Sequence, residues 1–123
     1  MQSSSKKLNK TIERQIFKML NQVLADAKND EEVKVLLQDL LTDSERLAMS
    51  KRLAIALYLD KGRSYENIKK NLHVSSATIA GVAEQMGDPG MQMAINKIKA
   101  EQWAEEWSKK LVKALKKVLP KSK

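Results

Sequence analysis

The sequence predicts an all-α chain, and three observations lead there. Hydrophobic residues make up 42% of the 123 positions but aromatics only 4%, so a core has to be built from Leu, Ile, Val, Met and Ala, the material of helix packing. Four Gly and two Pro leave little turn chemistry for a sheet. Apolar residues also recur at steps of three and four along most of the chain, the period that lines one face of a helix. At this length one compact domain with an appended element is expected.

Taken in order, residues 1–7 are rich in Ser and Lys and read as a disordered lead-in. Leu8, Ile12, Ile16, Met19, Leu20, Val23, Leu24 and Ala27 place a first helix. Asn29 or Asp30 caps a second, with Glu31 and Glu32 against its positive end and Val33, Leu36, Leu37, Leu40 and Leu41 as its apolar side. Thr42 followed by Glu45 is a capping-box signature and starts a third helix, long and largely buried, which Gly62 ends in a left-handed conformation. Ser64 caps a short helix over 65–72, His73 and Val74 make the turn, and Ser75 caps the next helix, which runs to Met86. Gly87, Asp88, Pro89 and Gly90 form the strongest breaker, and the edge of the core is expected there. Beyond it Met91, Ile95, Ile98, Trp103, Trp107, Leu111, Leu115 and Leu119 mark one more helix, stopped by Pro120. The expected organisation is a lead-in over 1–7, a helix-turn-helix domain over 8–87, a breaker over 88–90, a C-terminal amphipathic helix over 91–119 and a basic tail over 120–123.

Composition narrows the function classes. There is no Cys, a single His at 73, no cluster of metal-ligating residues and no glycine-rich phosphate loop, so neither catalysis nor a cofactor nor a metal is expected. No apolar run reaches the roughly 18 residues of a membrane span, and residues 1–7 lack the apolar stretch of a secretory signal, so a cytoplasmic, nucleoid-associated protein is the expectation. The net charge of +8 points to an anionic partner, but its location matters. Residues 109–123 hold seven lysines and no acid, while the 108 residues before them carry 16 basic and 15 acidic side chains, a net of +1.

The segment from Ser64 to Met86 has the pattern of a helix-turn-helix, whose second helix offers its N-terminal end to the DNA major groove. Ile68, Leu72, Val74, Ile79 and Val82 are spaced to fix the helix crossing, which leaves Ser75 to Thr78 at the exposed start of the second helix. The bland alternative is an ordinary helical hairpin packed into a core.

Over Leu40 to Val82 the chain resembles the tryptophan repressor (TrpR-like) superfamily. Leu41-Thr42, Glu45-Arg46, Arg52, Gly62, Ser64, Ile68-Lys69, Leu72 and Ala77-Thr78-Ile79 follow its pattern in order and spacing. It is closer still to the Trp-repressor-like YerC/YecD group of bacterial proteins, over about 85 residues. Where most helix-turn-helix units carry a small residue and a turn Gly, this chain has Lys69 and His73; the tryptophan repressor shares the Lys but not the His. The resemblance implies an intertwined homodimer on double-stranded DNA. It implies that Tyr65, Glu66, Lys69 and Lys70 lie near phosphates and that Ser75, Ser76, Ala77, Thr78 and Ala80 approach the groove. That groove set holds no Arg, Asn or Gln, the side chains that make bidentate base contacts, so readout through water, methyl contacts and DNA shape is expected.

In that superfamily the corepressor tryptophan sits between the central helix and the start of the recognition helix, its ring between two arginines. Thr42, Arg52 and Thr78 match positions of that pocket, but the second arginine's position is Gly81. Without that guanidinium the ring loses a stacking partner and the carboxylate a charge partner. A ligand-pocket remnant is therefore implied at Thr42, Arg52 and Thr78, with no control by tryptophan and no small-molecule corepressor expected.

The last helix sets Trp103, Trp107, Leu111 and Leu115 against Lys109, Lys110, Lys113, Lys116 and Lys117. Its apolar side packs on a partner subunit, or its lysines grip DNA phosphates, or it lies on an anionic membrane surface, the least favoured of the three. The leading expectation is a sequence-selective DNA-binding transcriptional regulator. The alternative is a low-specificity architectural or DNA-packaging protein aided by the lysine-rich helix.

Overall fold

The computed structural model describes residues 7–118. Most of the expected lead-in over 1–7, together with Leu119, the stop at Pro120 and the basic tail over 120–123, lies outside the described residues. Within them are six helices: α1 (Lys10–Ala25), α2 (Asp30–Leu40), α3 (Asp43–Asp60), α4 (Tyr65–Leu72), α5 (Ser76–Glu84) and α6 (Pro89–Val118). The chain divides into two compact units, Met1–Leu47 and Ala48–Lys123.

Local hydrogen bonds set the helix starts in the first unit. The Asn9 carboxamide oxygen accepts the Thr11 amide at 2.8 Å and so caps α1. Asn29 rather than Asp30 caps α2, accepting the Glu32 amide at 2.9 Å, and Asp30, Glu31 and Glu32 then occupy the first turn against its positive end. At the start of α3 the capping box closes in both directions: the Thr42 amide donates to Glu45 Oε1 at 2.8 Å, and the Glu45 amide donates to Thr42 Oγ1 at 3.1 Å. These Thr42 contacts, the backbone amide first, hold the Glu45 carboxyl below the usual carboxylate range.

Among its described residues the first unit has no buried core. Neither α1 nor α2 has a buried residue. Ile12, Ile16, Phe17, Met19, Leu20 and Val23 are all at least 41% exposed along α1.

The second unit is packed. Ile55 and Ala56 of α3, Ile68 of α4, Ile79 and Val82 of α5 and Ile95 of α6 form one buried cluster, with Tyr58, Leu59, Leu72, Val74, Met86 and Met91 against it. Gly62, at φ +76°, ends α3: the Gly62 amide donates to Leu59 O and the Arg63 amide to Tyr58 O, both at 3.0 Å, the paired closure of a Schellman motif.

Three expectations change. The third helix is buried at Ile55 and Ala56 alone, while Leu47, Met49 and Leu53 stay exposed in the single chain. The helix after Ser75 ends at Glu84, because the Gln85 and Met86 amides turn back on Val82 O and Ala83 O, three residues behind, and tighten the last turn. Pro89 and Gly90, read as part of a breaker, open α6: Pro has no amide to leave unpaired in a first turn, and the Gln92 amide closes on Asp88 O at 2.9 Å. The core correspondingly continues past Gly90 to Ile95.

Candidate nucleic-acid interface

Helices α4 and α5 are joined by a turn of three residues whose geometry is set at His73. Its backbone lies in the left-handed region, φ 53°, and its amide donates to Lys69 O at 2.9 Å, capping α4. Glycine fills such a position without strain, and His pays a steric cost there. The Lys51 ammonium, from α3, donates to the His73 carbonyl at 3.5 Å and ties the turn to the central helix. The place of His73 in the turn was legible, since it stands where most helix-turn-helix units carry the turn Gly; its tie to Lys51, which looks like one of several flanking cations, was not.

The caps of both helices are as expected. Ser64 Oγ accepts the Asn67 amide at 3.1 Å, and Ser75 Oγ accepts the Thr78 amide at 3.1 Å. A second contact joins the Ser75 and Thr78 hydroxyls at 2.9 Å. This fixes the first turn of α5, while Ile79, fully buried, and Val82, 3% exposed, pin the helix to the core from the other side.

Consequently Ser75, Ser76, Ala77, Thr78 and Ala80 are all exposed. The outward side of α5 carries hydroxyls and methyls and no long donor. On α4, Tyr65, Glu66 and Lys70 are exposed and Lys69 is half-buried. From Ser64 to Met86, Lys69 and Lys70 are balanced by Glu66 and Glu84, so the motif brings almost no net positive charge. The adjoining cations, Lys51 and Arg52, come from α3.

Between α3 and α5 lies an open cleft of about 420 Å³, within the range of small-molecule sites. Its wall includes Lys51, Arg52, Ile55, Thr78, Gly81 and Gln85. The structure thus brings Arg52 and Thr78, two of the three residues of the expected pocket remnant, to one cleft. Thr42 is engaged in the α3 capping box. A Cβ at Gly81 would meet nothing within 4 Å, so what Gly81 withholds from the cleft is a side chain, not room for one. Among the described residues, no three His, Cys, Asp or Glu side chains gather to hold a metal ion.

No curated protein and no solved structure matches the chain significantly. A family model does: that of the Trp repressor protein matches residues 15–99, from α1 through both helices of the motif to the third turn of α6. With more than half of its length matched, the chain belongs to the Trp repressor family of helix-turn-helix DNA-binding regulators.

Proposed function

We infer that this chain is a sequence-selective regulator of transcription, acting on the nucleoid, which sets the first turn of α5 into the major groove of double-stranded DNA. One observation carries the reading: that turn is capped by Ser75, braced by Thr78, exposed outward and anchored inward by Ile79 and Val82. Ser75 takes the Thr78 amide, but the earlier amides of the first turn have no partners within the helix, so they and the hydroxyls beside them are available to phosphate oxygens and base edges. In this reading Ser75, Ser76, Ala77, Thr78 and Ala80 meet the groove, and Tyr65, Glu66, Lys69 and Lys70 meet the flanking backbone. Small side chains on the groove face favour readout by water, methyl contact and shape.

The working unit is a homodimer. One small helix-turn-helix neutralises few phosphates, and pairing two of them one helical turn apart is the usual remedy. The uncovered apolar face of α1 supports this, since exposed apolar surface on that scale marks an association site.

Control by tryptophan is not part of the proposal. The cleft between α3 and α5 offers Arg52 from α3 and only hydrogen at Gly81 from α5, so an aromatic ring there would be gripped from one side.

Genome-wide recovery of DNA bound to the protein tests the reading, a few sharp peaks being the expected result. Even coverage would support the alternative, a low-specificity architectural protein, which the lack of Arg, Asn or Gln among the groove-facing residues favours. Calorimetric titration with L-tryptophan should show no micromolar binding.

A further inference from the structure

The core-facing apolar residues of α6 and those from Trp103 onward lie on opposite sides, and Met93, 60% exposed, shares the second side. Met91 and Ile95 turn to the core and Ile98 is half-buried. Ile98 and Trp103 are five positions apart, and at about 100° per residue that step carries Trp103 roughly 140° round the helix from Ile98. From Lys99 to Lys117 every residue is exposed. Trp103, Trp107, Leu111, Val112 and Leu115 are 46–62% exposed, and the two indole rings stack edge to face at 5.7 Å. The Lys99–Asp60 ion pair, at 3.1 Å, ties the helix to the end of α3 just before this stretch. The family match ends at residue 99, so the fold shared with the family does not account for it.

On a helical projection from Trp103 to Lys117, the apolar arc covers about half the circumference without a charge in it. Lys110 and Lys117 border one edge, and Glu105 and then Lys116 follow Val112 on the other. We propose that this half of α6 is an in-plane anchor for an anionic lipid surface.

Three features select that occupant. An apolar arc half a helix wide is broader than the two-in-seven seam of a two-stranded coiled coil. Duplex DNA would engage the lysines and leave both tryptophans in water. An anionic bilayer surface takes both faces at once, the rings and leucines entering the acyl boundary while the bordering lysines reach up to headgroups. No helix among the described residues is long and apolar enough to cross a membrane, and five lysines between 109 and 117 hold this one in the plane.

The chain has two tryptophans, and both are on this face, so tryptophan emission, excited beyond tyrosine absorption, reports on this segment alone. Vesicles of phosphatidylcholine containing roughly 30% phosphatidylglycerol should shift the emission to the blue, less so as salt rises, and phosphatidylcholine alone should not. Lys110→Gln with Lys117→Gln should lower partitioning about tenfold or more, and Leu111→Glu with Leu115→Glu should abolish it. Neither pair touches the buried core, so thermal unfolding should keep its midpoint. No shift with anionic vesicles overturns the proposal. So does a blue emission without lipid that grows with protein concentration, which assigns the face to a second copy, or a shift produced by duplex DNA but not by vesicles.

Discussion

The first unit and the second carry the same kind of sequence and come to opposite ends. In α1 apolar residues recur every three to four positions and none is buried, whereas in α3 to α6 six residues with the same periodicity close into one cluster. Periodicity states that a face will be covered. It does not state by what. The second unit covers its faces from within the chain, because the short α4 and α5 fold back on the middle of α3 and the start of α6. The α1–α2 pair cannot do so alone: two helices touch along one line, and the rest of a broad apolar stripe stays in water.

The largest effect that would sharpen this contrast is expected in the packed unit. Ile79→Ala removes a fully buried side chain from the centre of the cluster and should cost about 2–5 kcal/mol, read by denaturant unfolding. A loss below about 1 kcal/mol would mean that the cluster is looser than its burial indicates. In the first unit the corresponding change is in mass. Ile16→Asp with Leu20→Asp, on residues already 42% and 41% exposed, should convert a dimer to monomer in light scattering at tens of micromolar and make the melting temperature independent of concentration. A wild-type chain that is already a monomer there would break the comparison, leaving the α1 face without a purpose.

A smaller change is expected at the turn. His73→Gly relieves a left-handed backbone while keeping the carbonyl that Lys51 reaches, and should stabilise the second unit by up to about 1 kcal/mol, the added freedom of the unfolded chain offsetting part of the gain. Destabilisation would show that the imidazole has a role of its own.

The smallest effect concerns the capping box. Because folding lowers the Glu45 pKa, the stability it brings is present above the ordinary glutamate pKa and is lost as pH falls through the lowered value. Glu45→Gln should therefore melt below the wild type at neutral pH and converge with it in acid, below the ordinary glutamate range, in thermal scans. A difference that persists in acid would assign the effect to geometry rather than charge.

What could be read in advance divides along the same line. The caps at Asn29, Thr42, Ser64 and Ser75 and the stop at Gly62 were legible, because each depends on hydrogen bonds or dihedrals within five residues. So was the outward turn of α5, since Ile79 and Val82 on one side leave Ser76, Ala77 and Ala80 on the other. The restricted burial of α3 and the tie of His73 to Lys51 were not legible. Nor was Pro89 as the first residue of a helix rather than the heart of a break. Each of these depends on groups distant in sequence or on which of two allowed uses of a proline the packing prefers.

By itself, then, the sequence determined six helical segments, the caps of α2 to α5 and the helix-turn-helix, because these are settled by local backbone chemistry and side-chain period. Tertiary structure decided which apolar faces find partners within the chain. It buried Ile95 while leaving Trp103 in solvent eight residues further along one continuous helix, because a rigid helix with a five-residue step in its apolar spacing turns its second face away from the core that holds its first.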